Sequence, residues 1–187
     1  LYWDKKNSFK KNGILFIGSS SIRKWKTSEY FNYKSIINRG FGGSHISDIN
    51  YYFNTIILTY EPKIIVLYAG DNDIAGKKAP EQVLEDYMEF VGLVQKNINQ
   101  ARIIYLPIKP SPSRWSLWGN MLETNKLIKM FIDSDERQIY LDTATPMLNT
   151  KGRPSGHLFI SDSLHLSEEG YVLWSGILKP TLDSLIY

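Results

Sequence analysis

The chain has 187 residues, 43% of them hydrophobic and 22% charged, with a net charge of +3 and no cysteine. Those values suit one globular domain (residues 1–187) that buries about 70% of its unfolded surface. They give no reason to expect nucleic acid or an anionic membrane as a partner, and they remove disulfides, thiolate metal sites and a cysteine nucleophile. No apolar run approaches the roughly 18–20 residues that span a bilayer. No signal segment is recognisable after Leu1, so the compartment is left open between cytoplasmic and exported.

Taken in chain order, Lys5, Lys6, Lys10 and Lys11 read as a solvated helix face. Residues 14–17 are continuously apolar, and Gly18-Ser19-Ser20-Ser21 follows as a turn that opens a helix. A second strand at 35–38 leads into Arg39-Gly40-Phe41-Gly42-Gly43-Ser44, and Ile46, Ile49, Phe53, Ile56 and Ile57 mark a helix face. A third strand at 64–69 runs into Gly70-Asp71-Asn72-Asp73. Pro80 and Glu81 open a long helix with Val83, Tyr87, Val91, Val94 and Ile98 on its inner face. A strand at 103–107 is followed by a long irregular stretch, 107–118, read as the main surface excursion. Met121, Leu122, Ile128, Phe131 and Ile132 mark the next helix, and residues 139–141 the last strand. After the loop from Asp162 to His165, Ser167 caps a final helix that Pro180 is expected to end or kink. Short, continuously apolar strands alternating with amphipathic helices predict a three-layer α/β/α sandwich, flavodoxin-like, with about five parallel strands.

In such a fold, sites form at the carboxyl ends of the strands. Those ends carry a serine run, a glycine-rich loop with Gly40, Gly42 and Gly43, an asparagine between two aspartates, and a carboxylate three residues from an imidazole. Serine, histidine and aspartate are the parts of a nucleophilic hydrolase, and backbone N–H groups with an asparagine amide can form an oxyanion hole. His165 is favoured as the base over His45 and His157, because it alone has a carboxylate nearby on the same loop. The three adjacent hydroxyls of Ser19, Ser20 and Ser21 are not separated by these arguments.

Four of these blocks, in this order, resemble the SGNH (GDSL-like) hydrolases. Gly18-Ser19-Ser20 stands where the family has Gly-Asp-Ser, Gly43 matches the second-block glycine, Gly70-Asp71-Asn72-Asp73 matches Gly-x-Asn-Asp, and Asp162 with His165 matches Asp-x-x-His. The longer runs 16–25, 37–44, 68–75 and 108–115 look like a bacterial subgroup described as GDSL-like lipase or acylhydrolase. The resemblance implies a serine esterase: Ser20 as nucleophile, Asp162 and His165 completing a triad, and Ser20, Gly43 and Asn72 forming the oxyanion hole. It implies no cofactor and no metal, with a small-molecule ester such as a lipid or an acylated sugar as substrate. Ser19 and Ser21 depart from the aspartate and leucine of the family block.

A carbohydrate O-acetylesterase or acyltransferase would use the same residues, and a catalytically silent binding module would keep the same fold. A nucleotide-binding loop at Gly40-Phe41-Gly42 is disfavoured because His45 occupies the third glycine position. The nucleophile elbow of α/β-hydrolases fails for want of a closing glycine after Ser20. Asp71 and Asp73 are expected to brace a tight turn, with Arg39 ion-paired to one of them. His45 is expected to be structural or at the substrate edge, and His157 to be exposed. Trp115 and Trp118 are expected to line a pocket or pack the loop, and Lys109 and Arg114 to lie on a solvated loop.

Overall fold

The computed structural model describes residues 9–33 and 35–186. Five parallel strands form one sheet in the order β2-β1-β3-β4-β5: β1 Ile14–Gly18, β2 Ile36–Asn38, β3 Ile64–Tyr68, β4 Arg102–Tyr105 and β5 Gln138–Tyr140. The expected strands are all present, each within two residues of its predicted ends. With helices on both faces this is the expected three-layer α/β/α architecture.

Alternate residues of each strand feed opposite cores, because side chains along a strand point to opposite faces. Leu15, Ile17, Ile65, Leu67, Ile103 and Tyr105 pack on one side beneath α3 (Ile46–Tyr51), α6 (Pro80–Asn97) and α7 (Trp118–Ile132). Ile14, Phe16, Ile64, Val66, Tyr68 and Ile104 pack on the other against α8 (Glu168–Ile186). There Phe16, Phe31, Tyr171 and Trp174 surround Trp25 in an aromatic cluster, its ring centroids 5.4–5.7 Å apart between neighbours. Trp25 donates its indole N–H to Ser175 Oγ at 3.2 Å, so the buried polar end of this side chain is satisfied.

Four local expectations differ. The helix predicted from Ile46 to Ile57 is two short helices, α3 and α4 (Phe53–Ile56), broken at Tyr52, with a 3-10 turn at Leu58–Tyr60. Of the two outcomes expected at Pro180, an end or a kink, the first does not occur, since α8 continues to Ile186. A mid-helix proline costs about 3 kcal/mol, and the complete burial of Leu178 and Leu182 on the sheet returns about 1.5–3 kcal/mol for each side chain. Lys10 and Lys11 lie in irregular chain before β1, Lys11 pairing with Glu61 at 2.6 Å, rather than on a helix. Lys5 and Lys6 fall outside the described residues. The stretch 107–118 is not simply a surface excursion, since residues 107–111 are buried. Asn125 on α7 makes that possible: its Oδ1 accepts from Ile108 N at 2.8 Å and its Nδ2 donates to Ile108 O at 2.9 Å, as a neighbouring strand would.

Among the described residues, no helix is long and apolar enough to cross a membrane.

β1 ends at Gly18 with φ +144, where a Cβ would lie 1.9 Å from the Tyr68 carbonyl oxygen. Gly18→Ala therefore has to separate β1 from β3 or distort both. Urea unfolding of that variant is expected to show a loss of at least about 3 kcal/mol; a loss under about 1 kcal/mol would show that the close approach is dispensable.

Candidate active site

The turn after β1 delivers three hydroxyls into three environments. Ser19 and Ser21 are buried, at 3% and 2% exposure, whereas Ser20, the first residue of α1 (Ser20–Lys24), is partly open. Ser20 Oγ lies 2.9 Å from His165 Nε2, although 145 positions separate the two residues. On the other side of the ring, His165 Nδ1 lies 2.6 Å from Asp162 Oδ2. A carboxylate can only accept, so Nδ1 carries the proton and Nε2 is left to accept from the serine hydroxyl.

The loop before α8 is shaped for this contact. Asp162 Oδ1 accepts from the Leu164 and His165 backbone N–H groups, each at 2.9 Å. Burial disfavours the charged form of Asp162, but these bonds and the one from the imidazole outweigh it and hold the carboxyl well below the ordinary range. Ser163, at φ +58, makes the reversal between the aspartate and the histidine. Ile160 N donates to His165 O at 2.9 Å, closing the loop from behind. From α8, the Tyr171 hydroxyl donates to the Ser21 carbonyl at 2.8 Å and ties this helix to the serine turn.

The glycine-rich loop after β2 is stitched to β1 by backbone bonds from Arg39 N to Phe16 O (2.8 Å) and from Phe41 N to Gly18 O (2.9 Å). Asn38 Nδ2 reaches the Ile22 and Trp25 carbonyls at 2.7 and 3.0 Å. Gly43 has φ +78, a backbone that glycine adopts without strain. Asn72, in α5 (Asp71–Ala75) after β3, donates from Nδ2 to the Ser44 carbonyl at 3.1 Å. The second Nδ2 proton has no acceptor among the described residues. The serine turn, the glycine loop, the asparagine turn and the Asp162–His165 loop thus all lie at one end of the sheet.

Several expectations need correction here. Lys109 and Arg114 do not lie on a freely solvated loop: Lys109 is 1% exposed, Arg114 is partly buried with 22% of its side chain exposed, and both pair with Asp71. Lys109 Nζ lies 2.8 Å from Asp71 Oδ2, and Arg114 Nη1 contacts Oδ1. Their charges outweigh the effect of burial and hold the Asp71 carboxyl below its usual value. The Tyr68 hydroxyl, pushed well up by burial and by the charge of Asp71, also donates to that carboxylate. Asp71 is therefore the centre of a buried ion cluster rather than a turn brace. Asp73, fully buried, accepts from Ile46 N at 3.2 Å and pairs with Lys78 at 3.0 Å. Arg39 pairs with neither aspartate; its Nε donates to the Tyr60 hydroxyl at 2.6 Å.

His45 is the N-cap residue of α3, its Nδ1 3.7 Å from Asp73 Oδ1, in keeping with a structural role. His157 is exposed, as expected. Trp115 and Trp118 stack with centroids 5.9 Å apart, and the Arg153 guanidinium lies 4.6 Å over Trp115. The sequence reading assigns Tyr171, Tyr68 and Asn125 no role as supports of the site, because each acts on a partner at least 17 positions away or on a residue whose role is not yet apparent.

Lys109→Met removes one of the two cations on Asp71 and leaves Arg114 in place, so the expected cost is that of one lost buried hydrogen bond to a charged group, about 1.5–3 kcal/mol. The sign of its pH dependence follows from the lowered carboxyl. Asp71 contributes fully above the unfolded carboxyl value of about 3.9, and the contribution is lost as pH falls through the lower folded value. Urea unfolding at pH 7 and pH 3 is expected to show a deficit in Lys109→Met that narrows in acid. An equal deficit at both pH values would remove the buried charge as its cause.

The sequence profile of the GDSL-like Lipase/Acylhydrolase family matches residues 21–173. No curated protein matches by sequence. Among solved structures, the chain is similar to a Bacteroides fragilis protein assigned as an acylhydrolase, with TM-score 0.86, 17% identity, and coverage of 100% of this chain and 95% of the other. It is also similar to a GDSL-like lipase from Bacteroides thetaiotaomicron, with TM-score 0.81, 16% identity, and coverage of 98% and 95%. A Geobacillus acetyl-xylooligosaccharide esterase follows at TM-score 0.71, 14% identity, and coverage of 91% and 94%. At such identities the structural likeness establishes the fold, while the profile match establishes descent: the chain belongs to the GDSL-like lipase/acylhydrolase family.

Proposed function

We propose that this protein is a serine esterase acting through an acyl-enzyme, with residues 1–187 working as one catalytic unit. The observation that carries this reading is the chain of contacts from Ser20 Oγ to His165 Nε2 (2.9 Å) and from His165 Nδ1 to Asp162 (2.6 Å). Ser20 attacks the carbonyl carbon of an ester while His165 Nε2 takes the hydroxyl proton. Asp162 stays ionised and stabilises the imidazolium. The negative charge that develops on the carbonyl oxygen is met by the Ser20 and Gly43 backbone N–H groups and the second Nδ2 proton of Asn72. As the tetrahedral intermediate collapses, His165 protonates the leaving alkoxide, and the acyl group remains on Ser20 Oγ. Water then repeats the sequence, its proton passing to His165 as it attacks, and the carboxylic acid is released.

Burial supports Ser20 over its two neighbours as the nucleophile. Ser19 and Ser21 are closed off from a substrate, whereas Ser20 combines partial exposure with a hydrogen-bonded base. The nature of the alcohol is addressed by the test itself. Hydrolysis of p-nitrophenyl esters from acetate to longer acyl chains, compared with transfer to added sugar acceptors, separates an esterase from an acyltransferase.

Ser20→Ala is expected to abolish hydrolysis in folded protein. Asn72→Ala should lower kcat by about 10²–10³, the usual effect of one oxyanion donor, and Asp162→Asn should lower it by up to about 10⁴. Turnover that survives in Ser20→Ala would overturn the mechanism.

A further inference from the structure

We propose that Arg114 is a positioning residue for the oxyanion donor, its guanidinium fixing which end of the Asn72 amide faces the reaction and polarising the N–H it presents. The inference rests on the esterase reading of the site. Arg114 Nη1 and Nη2 each lie 3.2 Å from Asn72 Oδ1. Nη1 also lies 3.0 Å from the Asp71 carbonyl oxygen, so the same side chain holds the backbone from which Asn72 springs.

An asparagine amide turned over exchanges a donor for an acceptor within nearly the same shape. Here the two orientations are unequal. A guanidinium has no acceptor, so it tolerates only Oδ1 opposite it, and the Ser44 carbonyl, 3.1 Å from Nδ2, tolerates only a donor. Turning the amide over would set donors against donors at Arg114 and oxygen against oxygen at Ser44. It would also put Oδ1, with its partial negative charge, where an oxyanion has to form. A cation at Oδ1 draws electron density from the amide nitrogen and makes the remaining N–H a stronger donor.

The charge balance points the same way. Lys109, 1% exposed and 2.8 Å from Asp71, already neutralises that carboxylate. Arg114 is a second cation on a single buried anion, so the cluster of Asp71, Lys109 and Arg114 carries a net charge of +1 next to Asn72. Arg114 keeps 22% of its side chain exposed, so solvent screens part of this excess charge, and the rest acts where negative charge develops during turnover. The adjacent Ser113 N donates to the Ser163 carbonyl at 3.1 Å, within the loop that holds Asp162 and His165. Two successive residues therefore brace the two halves of the catalytic apparatus.

A double-mutant cycle reads this out. In p-nitrophenyl acetate hydrolysis, Arg114→Met is expected to lower kcat by about tenfold or more, the size of one charge-assisted hydrogen bond, with KM changed less than about twofold. In an Asn72→Ala background the same substitution should change kcat by less than about twofold, because the group through which Arg114 acts is gone. Arg114→Lys keeps a charge for Asp71 but loses the two-pronged contact, and should recover the kcat loss only in part. It also carries the test if Arg114→Met does not fold. An unchanged kcat in Arg114→Met, or an equal fold-loss with and without Asn72, overturns the proposal.

A second readout needs no turnover. The Asn72 side-chain amide pair in a ¹⁵N correlation spectrum, assigned by its loss in Asn72→Ala, should move in both Arg114 variants. A fixed signal sinks the positioning role, whereas a moved signal in a protein that hydrolyses no ester sinks only the esterase reading.

Discussion

Gly18 is the point on which the architecture of the site depends. At φ +144 it lets the backbone of β1 pass so close to β3 that the Tyr68 carbonyl occupies the space of a side chain. Two backbone bonds then converge there, from Ser19 N to Tyr68 O at 3.1 Å and from Phe41 N to Gly18 O at 2.9 Å, and Ser20 begins α1 two residues after the glycine. The serine turn, the glycine loop and the start of the asparagine turn are thereby fixed to one another by backbone bonds, which hold position more tightly than exposed side chains do. A site built this way needs no large conformational rearrangement to bring its hydroxyl and its donors together.

The fourth loop has to arrive from the other end of the chain, and the second core brings it there. Trp174, Leu178 and Leu182, all fully buried, seat α8 against Phe16, Val66 and Tyr68. Tyr171, Trp25 and Trp174 join that helix to the segment just after Ser20 through packed rings, and the Tyr171 hydroxyl completes the link at the Ser21 carbonyl. The position of Asp162 and His165 relative to Ser20 is thus set by apolar packing several residues away, with the local hydrogen bonds adjusting only the final orientation. The short contact at Ser20 is a consequence of that packing. It is not what holds the ends together, since one hydrogen bond is worth only about 1 kcal/mol.

What could be read from the sequence divides along the same physical line. Strands buried on both faces announce themselves as continuous apolar runs, so the sheet was legible from segments such as Ile14-Leu15-Phe16-Ile17 and Ile64-Ile65-Val66-Leu67. The site blocks were legible too, because short spacings such as that of Asp162 and His165 keep chemistry local. Contacts across long separations left no trace. Lys109 and Arg114 read as solvated because a charged residue is assigned to solvent unless its partner is known, and Asp71 lies 38 and 43 positions away. The buried half of the 107–118 stretch was hidden for a similar reason, since Asn125 stands in for a strand from within a helix. Pro180 shows the reverse, a strong local rule overruled by the burial of Leu178 and Leu182.

The ion pairs of this protein differ in what they can do. Lys129–Asp133 and Lys179–Asp183 lie one helical turn apart with both partners exposed, where such contacts contribute little and salt screens them. In the Asp71 cluster, Asp71 and Lys109 are shielded from solvent and Arg114 is partly so, and their charges act at a lower effective dielectric and over a longer reach than those surface pairs. In the proposed mechanism, a carboxylate held ionised between two cations, with Asn72 on the next residue, gives the site a fixed positive bias that does not have to reorganise when charge appears on a substrate. Under the proposed esterase mechanism, a field set at folding contributes to rate because it is already in place when the bond breaks.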